Sequence, residues 1–274
     1  MRTVGVLVNP QKMDGHQAMS QVCAACTAAG LHARAVNTLD DVALQQMLSD
    51  VDALLVLGGD GTILHAVEHI VRYNVPILGI NFGHLGFLTE VGPQQMEQAM
   101  CQLAAGAYQL EPRMLLEMAM EEKLSYALND VVVSRGGYAR LITVDAYVEE
   151  EWVGRYLADG MVVASPTGST GYSLSAGGPI IAPSMQCMLL TPICPHTLQA
   201  RPLVVDAQAH ICLRVRCPEM DGGMLVTVDG RKPVVLSQQA EIFVRRADAT
   251  LSFIRLKPHN FYDRLRNKLT EWSR

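Results

Sequence analysis

Ala53–Leu57 is five apolar residues in a row, and it runs without a break into Gly58-Gly59-Asp60-Gly61-Thr62. A short run with no polar side fits a strand covered on both faces, which is the condition inside a parallel sheet with helices above and below it. The glycines that follow allow positive φ and let backbone N–H groups come close to an anion. A helix opening near Thr62 adds free N–H groups and the positive end of its dipole. In open α/β sheets ligands bind at the carboxyl ends of the strands, which is where this turn stands.

The neighbouring sequence keeps the same alternation. Residues 4–8, 31–36 and 76–80 read as strands, and residues 17–29, 42–48, 63–72 and 94–104 carry apolar side chains at helical spacing. After about Tyr108 the pattern changes. Period-2 or β-branched stretches follow one another at 114–120, 127–133, 141–147, 160–164, 202–205, 211–215, 225–228, 242–244 and 251–256, with a short helix near Gly168. The expected fold is an α/β N-terminal domain over residues 1–106, a parallel sheet with helices on both faces. A mainly antiparallel β-sandwich C-terminal domain follows over residues 107–258. Residues 259–274 look helical again and are expected to complete the first domain.

Composition narrows the function classes. Across 274 residues, 22 basic side chains face 27 acidic ones for a formal charge of −5, and no Lys/Arg cluster stands out. That balance favours neither nucleic acid nor a membrane surface as partner. No apolar run approaches the roughly 20 residues that span a bilayer. The N-terminus reads as a first buried strand rather than a secretory signal, so a cytoplasmic protein is expected. The seven cysteines are odd in number and scattered, against a disulfide framework. Cys23 and Cys26 form a C-x-x-C, which fits redox or zinc chemistry, or two small apolar residues on one helix face; no second pair completes a zinc set.

Asp60 sets the turn apart from a simple phosphate cradle, because an anion there repels phosphate. A carboxylate held beside phosphates suits a general base or a ligand of a bridging metal. No Gly-Lys-Ser/Thr follows, so this is not a Walker A loop, and the spacing is not G-x-G-x-x-G. The bland reading is a tight turn with an Asp helix cap. A second segment, residues 159–178, holds seven Ser, Thr or Tyr and five Gly. Such a loop can hydrogen-bond a heterocycle and a sugar while its backbone approaches closely. Asn129-Asp130, at the start of an apolar run, offers an amide beside a carboxylate. That pair suits a ribose diol or an adenine edge, or else an Asx turn entering a strand.

Gly-Gly-Asp-Gly-Thr resembles the motif shared by NAD kinases, diacylglycerol and sphingosine kinases and 6-phosphofructokinases. The 159–178 segment resembles the second signature of the NAD kinases. Asn81-Phe82-Gly83-His84-Leu85-Gly86-Phe87-Leu88, Asn129-Asp130 with its following strand, and Asp229-Gly230 match further segments of that family in order and rough spacing. A lipid kinase of the diacylglycerol or sphingosine type is the alternative left by the first motif alone. The NAD kinase resemblance implies transfer of a γ-phosphoryl group, from ATP or polyphosphate, to the 2′-hydroxyl of the adenosine ribose of NAD, giving NADP. It implies Asp60 as general base, with Gly58, Gly59, Gly61 and Thr62 binding phosphate. NAD-binding positions then include Asp60, Gly61, His65, Phe87, Asn129, Asp130, Arg140, Asp159 and Thr167. They continue through Thr170, Gly171, Tyr172, Ser173, Leu174 and Ser175 to Cys194. Mg²⁺ or another divalent ion is expected to arrive with the nucleotide, with no side chain assigned as its ligand. A homodimer or homotetramer is implied. Arg231 follows Asp229-Gly230 where Gln is frequent in the family, which leaves that turn's role open.

Overall fold

The computed structural model describes the chain except residues 9–14, 37–40, 84–85, 138–140, 198, 218–222, 258–260 and 273–274. The chain forms two compact units, Met1–Pro112 with Thr250–Arg274, and Arg113–Ala249.

In the first unit the order is β1 (Thr3–Val8), α1 (Gly15–Ala28), β2 (His32–Val36), α2 (Asp41–Leu48), β3 (Ala53–Leu57) and α3 (Asp60–Ile70). Then come a 3₁₀ turn at Val71–Tyr73, β4 (Ile77–Ile80), β5 (Thr89–Val91), a 3₁₀ turn at Pro93–Gln95 and α4 (Met96–Ala104). Strands β2, β1, β3 and β4 lie side by side in that order, every pairing parallel, and β5 adds to β4 in parallel as well. One face of the sheet presents Val4, Val6, Leu55 and Leu57 to Val22 and Cys26 of α1 and Met100 and Leu103 of α4. The opposite face is closed by α2 and α3. A Cβ on Gly5 would sit 3.0 Å from Met47 Sδ, and one on Gly79 would sit 2.8 Å from Ile63 Cδ1. Both faces of β3 are therefore covered, which is why all five of its residues are apolar.

The second unit is built from β6 (Gln109–Met120), β7 (Lys123–Ala127), β8 (Asp130–Arg135), β9 (Ile142–Val148), β10 (Glu151–Ala158) and β11 (Gly160–Ala164). After them come a 3₁₀ turn at Thr167–Thr170, α5 (Tyr172–Ser175), β12 (Cys187–Ile193), β13 (Leu203–Asp206), β14 (Ile211–Arg216), β15 (Met224–Val228), β16 (Val234–Leu236) and β17 (Gln239–Arg255). Antiparallel pairing gives one sheet ordered β10-β9-β14-β17, and another ordered β13-β12-β11-β8-β15-β16. Their inner faces share one core. Val144, Ala146 and Leu213 from one sheet meet Val131, Val133 and Met161 from the other. On its far side the second sheet carries Val132, Val162 and Leu189, covered by Ala176 and Ile181 of the segment after β11. The helix α6 (Phe261–Trp272) follows and belongs to the first unit. Passage from one unit to the other occurs inside β6 and inside β17, in mid-strand rather than in a loop.

Beyond the short strands β5 and β16, which the sequence expectation lacks, four details differ from it, each for a local reason. The run 127–133 is two strands, because the Leu128-Asn129 backbone is drawn out of the ladder by a distant carboxylate. The runs 242–244 and 251–256 fall on the single strand β17, which ends at Arg255. Strand β10 was hidden by a register shift between Trp152 and Gly154. Strand β12 was hidden by Pro192, which reads as a breaker although all seven residues of the strand are buried.

Candidate active site

The first group of functional side chains lies at the carboxyl end of β3. Helix α3 begins at Asp60, two residues earlier than the sequence suggests, with Gly59 as its N-cap. Gly58 holds φ +145°, and a side chain there would strike Thr62, its Cβ lying 2.3 Å from Oγ1. Gly58 N–H donates to Ile80 O at 2.8 Å, and Thr62 N–H donates to Gly59 O at 2.9 Å. Those two N–H groups are thus committed inside the fold. Thr62 Oγ1 is buried and has no hydrogen-bond partner. A buried hydroxyl left without a partner is uncommon.

Asp60 is half-buried, and both of its oxygens are engaged. Oδ2 accepts from Phe87 N–H at 2.7 Å and Oδ1 from Leu88 N–H at 3.1 Å. Charge-assisted bonds of this kind fix a carboxylate's orientation. A carboxylate has about four acceptor positions, so two remain for a hydroxyl. Gly86 leaves the space that Asp60 fills, since a Cβ there would lie 2.1 Å from Oδ1. Gly86 N–H in turn donates to Thr89 Oγ1 at 2.7 Å. His65 is exposed on α3, one turn beyond Gly61, which is also exposed. His84 and Leu85 of the matching loop lie outside the described residues.

The second group lies in the other unit, around the start of β8. Asp229, 5% exposed, accepts from three successive N–H groups, Leu128 at 2.7 Å, Asn129 at 2.8 Å and Asp130 at 3.0 Å. That clamp forms the turn that displays Asn129 and Asp130. Ser165 fastens it from the other side, its hydroxyl donating to Leu128 O at 2.5 Å and its N–H to Asn129 O at 2.8 Å. Asn129 Oδ1 is buried and without a partner. Burial, then the nearby Asp229 charge, raises Asp130 to about 7. Burial raises Asp229 to about 6 against the pull of its three N–H bonds.

The hydroxyl-rich segment packs directly on this turn. A Cβ on Gly168 would lie 2.1 Å from Asn129 O, and one on Gly171 would lie 3.4 Å from Asn129 Nδ2 and 3.7 Å from Asp130 Oδ2. Thr167 is buried and accepts from Arg113 Nη1 at 3.2 Å, while Thr170 Oγ1 donates to Thr167 O. Ser173 is buried against Thr191 Oγ1 at 2.9 Å; Leu174 is half-buried and Ser175 exposed. Tyr172 is 45% exposed. Partial burial raises its phenol, and the charges of Cys194, Asp159 and Asp130 add to the effect, so these four side chains share one electrostatic neighbourhood. Cys194 is exposed, with φ +43°. Asp159 is paired with Arg135 Nε at 2.6 Å. Arg140 lies outside the described residues.

Several residues here were not singled out by sequence. Arg113 and Arg135 are partners of predicted site residues, yet a lone arginine in a strand carries no signal. Asp229 was noted only as part of an Asp-Gly turn. Arg231 is a clamp within its own region, donating to Val228 O at 3.0 Å and Tyr126 O at 2.7 Å. Among the described residues no group of three or more His, Cys, Asp or Glu is arranged to hold a metal. No helix among them is long and apolar enough to cross a membrane. Cys26 is buried in α1 with Sγ 3.4 Å from Met100 Sδ, and burial pushes its thiol up to about 12. The Cys23 thiol is raised for the same reason, so the pair packs a helix face and is poorly suited to thiolate chemistry.

Comparison with known proteins identifies the family. Residues 3–108 match the ATP-NAD kinase N-terminal domain and residues 128–256 match the ATP-NAD kinase C-terminal domain. The NAD kinase of Moorella thermoacetica is 46% identical over 224 residues, covering 80% of this chain and 71% of its own length. That of Desulforamulus reducens is 37% identical over 291 aligned positions, covering 100% and 99%. The structure of an Archaeoglobus fulgidus NAD kinase in complex with ATP superposes with a TM-score of 0.81 at 28% identity, covering 97% of this chain and 99% of that one. Yeast NADH kinase complexed with NADH gives 0.86 at 25% identity, covering 98% and 88%. The chain belongs to the NAD kinase family and is a kinase.

Proposed function

We propose that this member of the family transfers the γ-phosphoryl group of ATP to the 2′-hydroxyl of the adenosine ribose of NAD, with Asp60 as general base. The observation that carries the proposal is Asp60 itself. A half-buried carboxylate opens a helix at a glycine turn and is held by two N–H groups with acceptor positions to spare. The hydroxyl would give its proton to Asp60 as its oxygen bonds to the γ-phosphorus. The bond to the bridging oxygen would break, and ADP would leave. Phosphoryl transfer depends mainly on in-line positioning and charge neutralisation, so the base adds to a reaction organised by the rest of the site.

Gly59, Gly61 and the unpartnered Thr62 hydroxyl are the groups of the turn suited to the donor phosphates, since the N–H groups of Gly58 and Thr62 are already used. On the acceptor side, the unpartnered Asn129 Oδ1 suits an N–H donor such as the adenine amino group. Asp130 and Asp159 suit ribose hydroxyls, beside the Thr170–Ser175 segment. Mg²⁺ would neutralise the phosphate oxygens when it arrives with the nucleotide.

Polyphosphate remains the second donor class. The ATP complex of the Archaeoglobus fulgidus relative favours ATP. A matrix of ATP or polyphosphate against NAD or NADH, read as NADP or NADPH formed, tests the assignment. ATP with NAD should give the highest turnover. No NADP from either donor would overturn it.

A further inference from the structure

We propose that Arg264 is a positioning residue for Asp60, acting through the two peptide groups that bind the Asp60 carboxylate. Its Nη1 donates to three carbonyls, Gly86 at 3.2 Å, Phe87 at 3.0 Å and Thr89 at 2.7 Å. The Gly86 carbonyl and the Phe87 N–H are two ends of one planar trans peptide; the Phe87 carbonyl and the Leu88 N–H are two ends of the next. In a trans peptide those ends point in opposite directions. Each peptide therefore takes a hydrogen bond from the Arg264 guanidinium at one end and gives one to Asp60 at the other. The cation polarises both units and strengthens their N–H groups as donors, in the manner of any hydrogen-bonded chain.

Arg264 is itself held from behind. Nη2 lies 3.4 Å from Glu90 Oε2, and the same oxygen takes Arg255 Nη1 at 3.2 Å. Arg255, 2% exposed, is tied on to Glu111 at 2.5 Å. Arg264 is 19% exposed. A guanidinium keeps its charge under such burial and presents a rigid fork, which one ammonium cannot reproduce. Two of the three carbonyls it binds, those of Gly86 and Phe87, belong to the peptides that face the carboxylate, and the third, Thr89 O, anchors α6 to the following strand.

The proposal rests on Asp60 being the base, and the test separates the two. In R264M, kcat should fall by roughly 10- to 100-fold, while KM for NAD changes less than about threefold, as expected for an interaction felt mainly in the transition state. R264K should recover part of the loss with KM unchanged. In a D60N background the R264M loss should largely vanish, because both changes act on one group. An anchor role predicts instead an equal fold loss with and without Asp60, and a rise in KM. Wild-type kcat in folded R264M overturns the proposal, as does an undiminished effect in the D60N background. If R264M does not fold, R264K decides, and full kcat in that variant overturns it. Full activity of D60N alone would remove the base assignment instead, whatever Arg264 does.

Discussion

Two aspartates use the same device in the two units and end with different work to do. Asp60 takes two backbone N–H groups and stays half-open; Asp229 takes three and is 5% exposed. With three donors and almost no access, Asp229 can only shape the turn it holds. With two donors and open acceptor positions, Asp60 is shaped by its loop and keeps capacity for a hydroxyl. How a carboxylate is buried, more than the number of N–H groups around it, separates a scaffold from a reactive group.

Exchange of each carboxylate for an amide gives the sharpest contrast. D60N should lower kcat by about 10²–10⁴, the usual range for loss of a general base, with NAD affinity and melting temperature little changed. D229N should do the reverse. It leaves buried N–H groups facing an amide that supplies one acceptor oxygen, at roughly 1–3 kcal/mol for each donor left unmet. The melting temperature should drop by several degrees, at about 2–4 °C per kcal/mol, and KM for NAD should rise as Asn129 and Asp130 lose their support. A stable D229N with normal KM would break the contrast.

Two glycine substitutions probe the same pair one step out. G86A puts a Cβ 2.1 Å from Asp60 Oδ1, and G168A puts one 2.1 Å from Asn129 O. Crowding of this kind costs about 1–3 kcal/mol in either unit. Kinetically they should part, with G86A lowering kcat and G168A raising KM for NAD. Equal effects on both constants in both variants would show that the two sites do not divide the labour.

The smallest effect is in pH. Unfolded carboxylates titrate near 4, whereas Asp130 is raised to about 7 and Asp229 to about 6. Between these values the folded chain holds protons that the unfolded chain has released. The resulting stability is complete below about pH 4 and is lost as pH rises to about 7. The melting temperature should therefore fall from pH 5 to about pH 7 and level off above it. D130N should flatten that slope; an unchanged slope would place the titration elsewhere.

The strand–turn–helix around Asp60 was legible because its signals lie within ten residues. A two-sided apolar strand and a run of glycines are local facts. Asn129 and Asp130 were legible as a pair, but what holds them was not. Asp229 is about 100 residues away and looks like any Asp-Gly turn. Arg264 is further still from the carbonyls it binds, and nothing in Arg264-Leu265-Arg266 distinguishes the first arginine from the second, which pairs with nearby Asp263. The sandwich was legible in kind from its alternating strands. Its strand count was not, because Pro192 and the shift at Gly154 interrupt the period that reveals a strand.

The mid-strand crossings in β6 and β17 have a consequence for synthesis. Residues 113–249 are continuous and can close their core as soon as they leave the ribosome, while the first unit must wait for residues beyond 250. Asp60 is made early and the arginine behind its loop roughly 200 residues later. At about 5–20 residues per second, that is an interval of about 10–40 s. Throughout it the nascent chain carries Asp60 and its glycine turn but lacks the guanidinium that binds the Gly86 and Phe87 carbonyls, so the loop gains that contact only once α6 has been made.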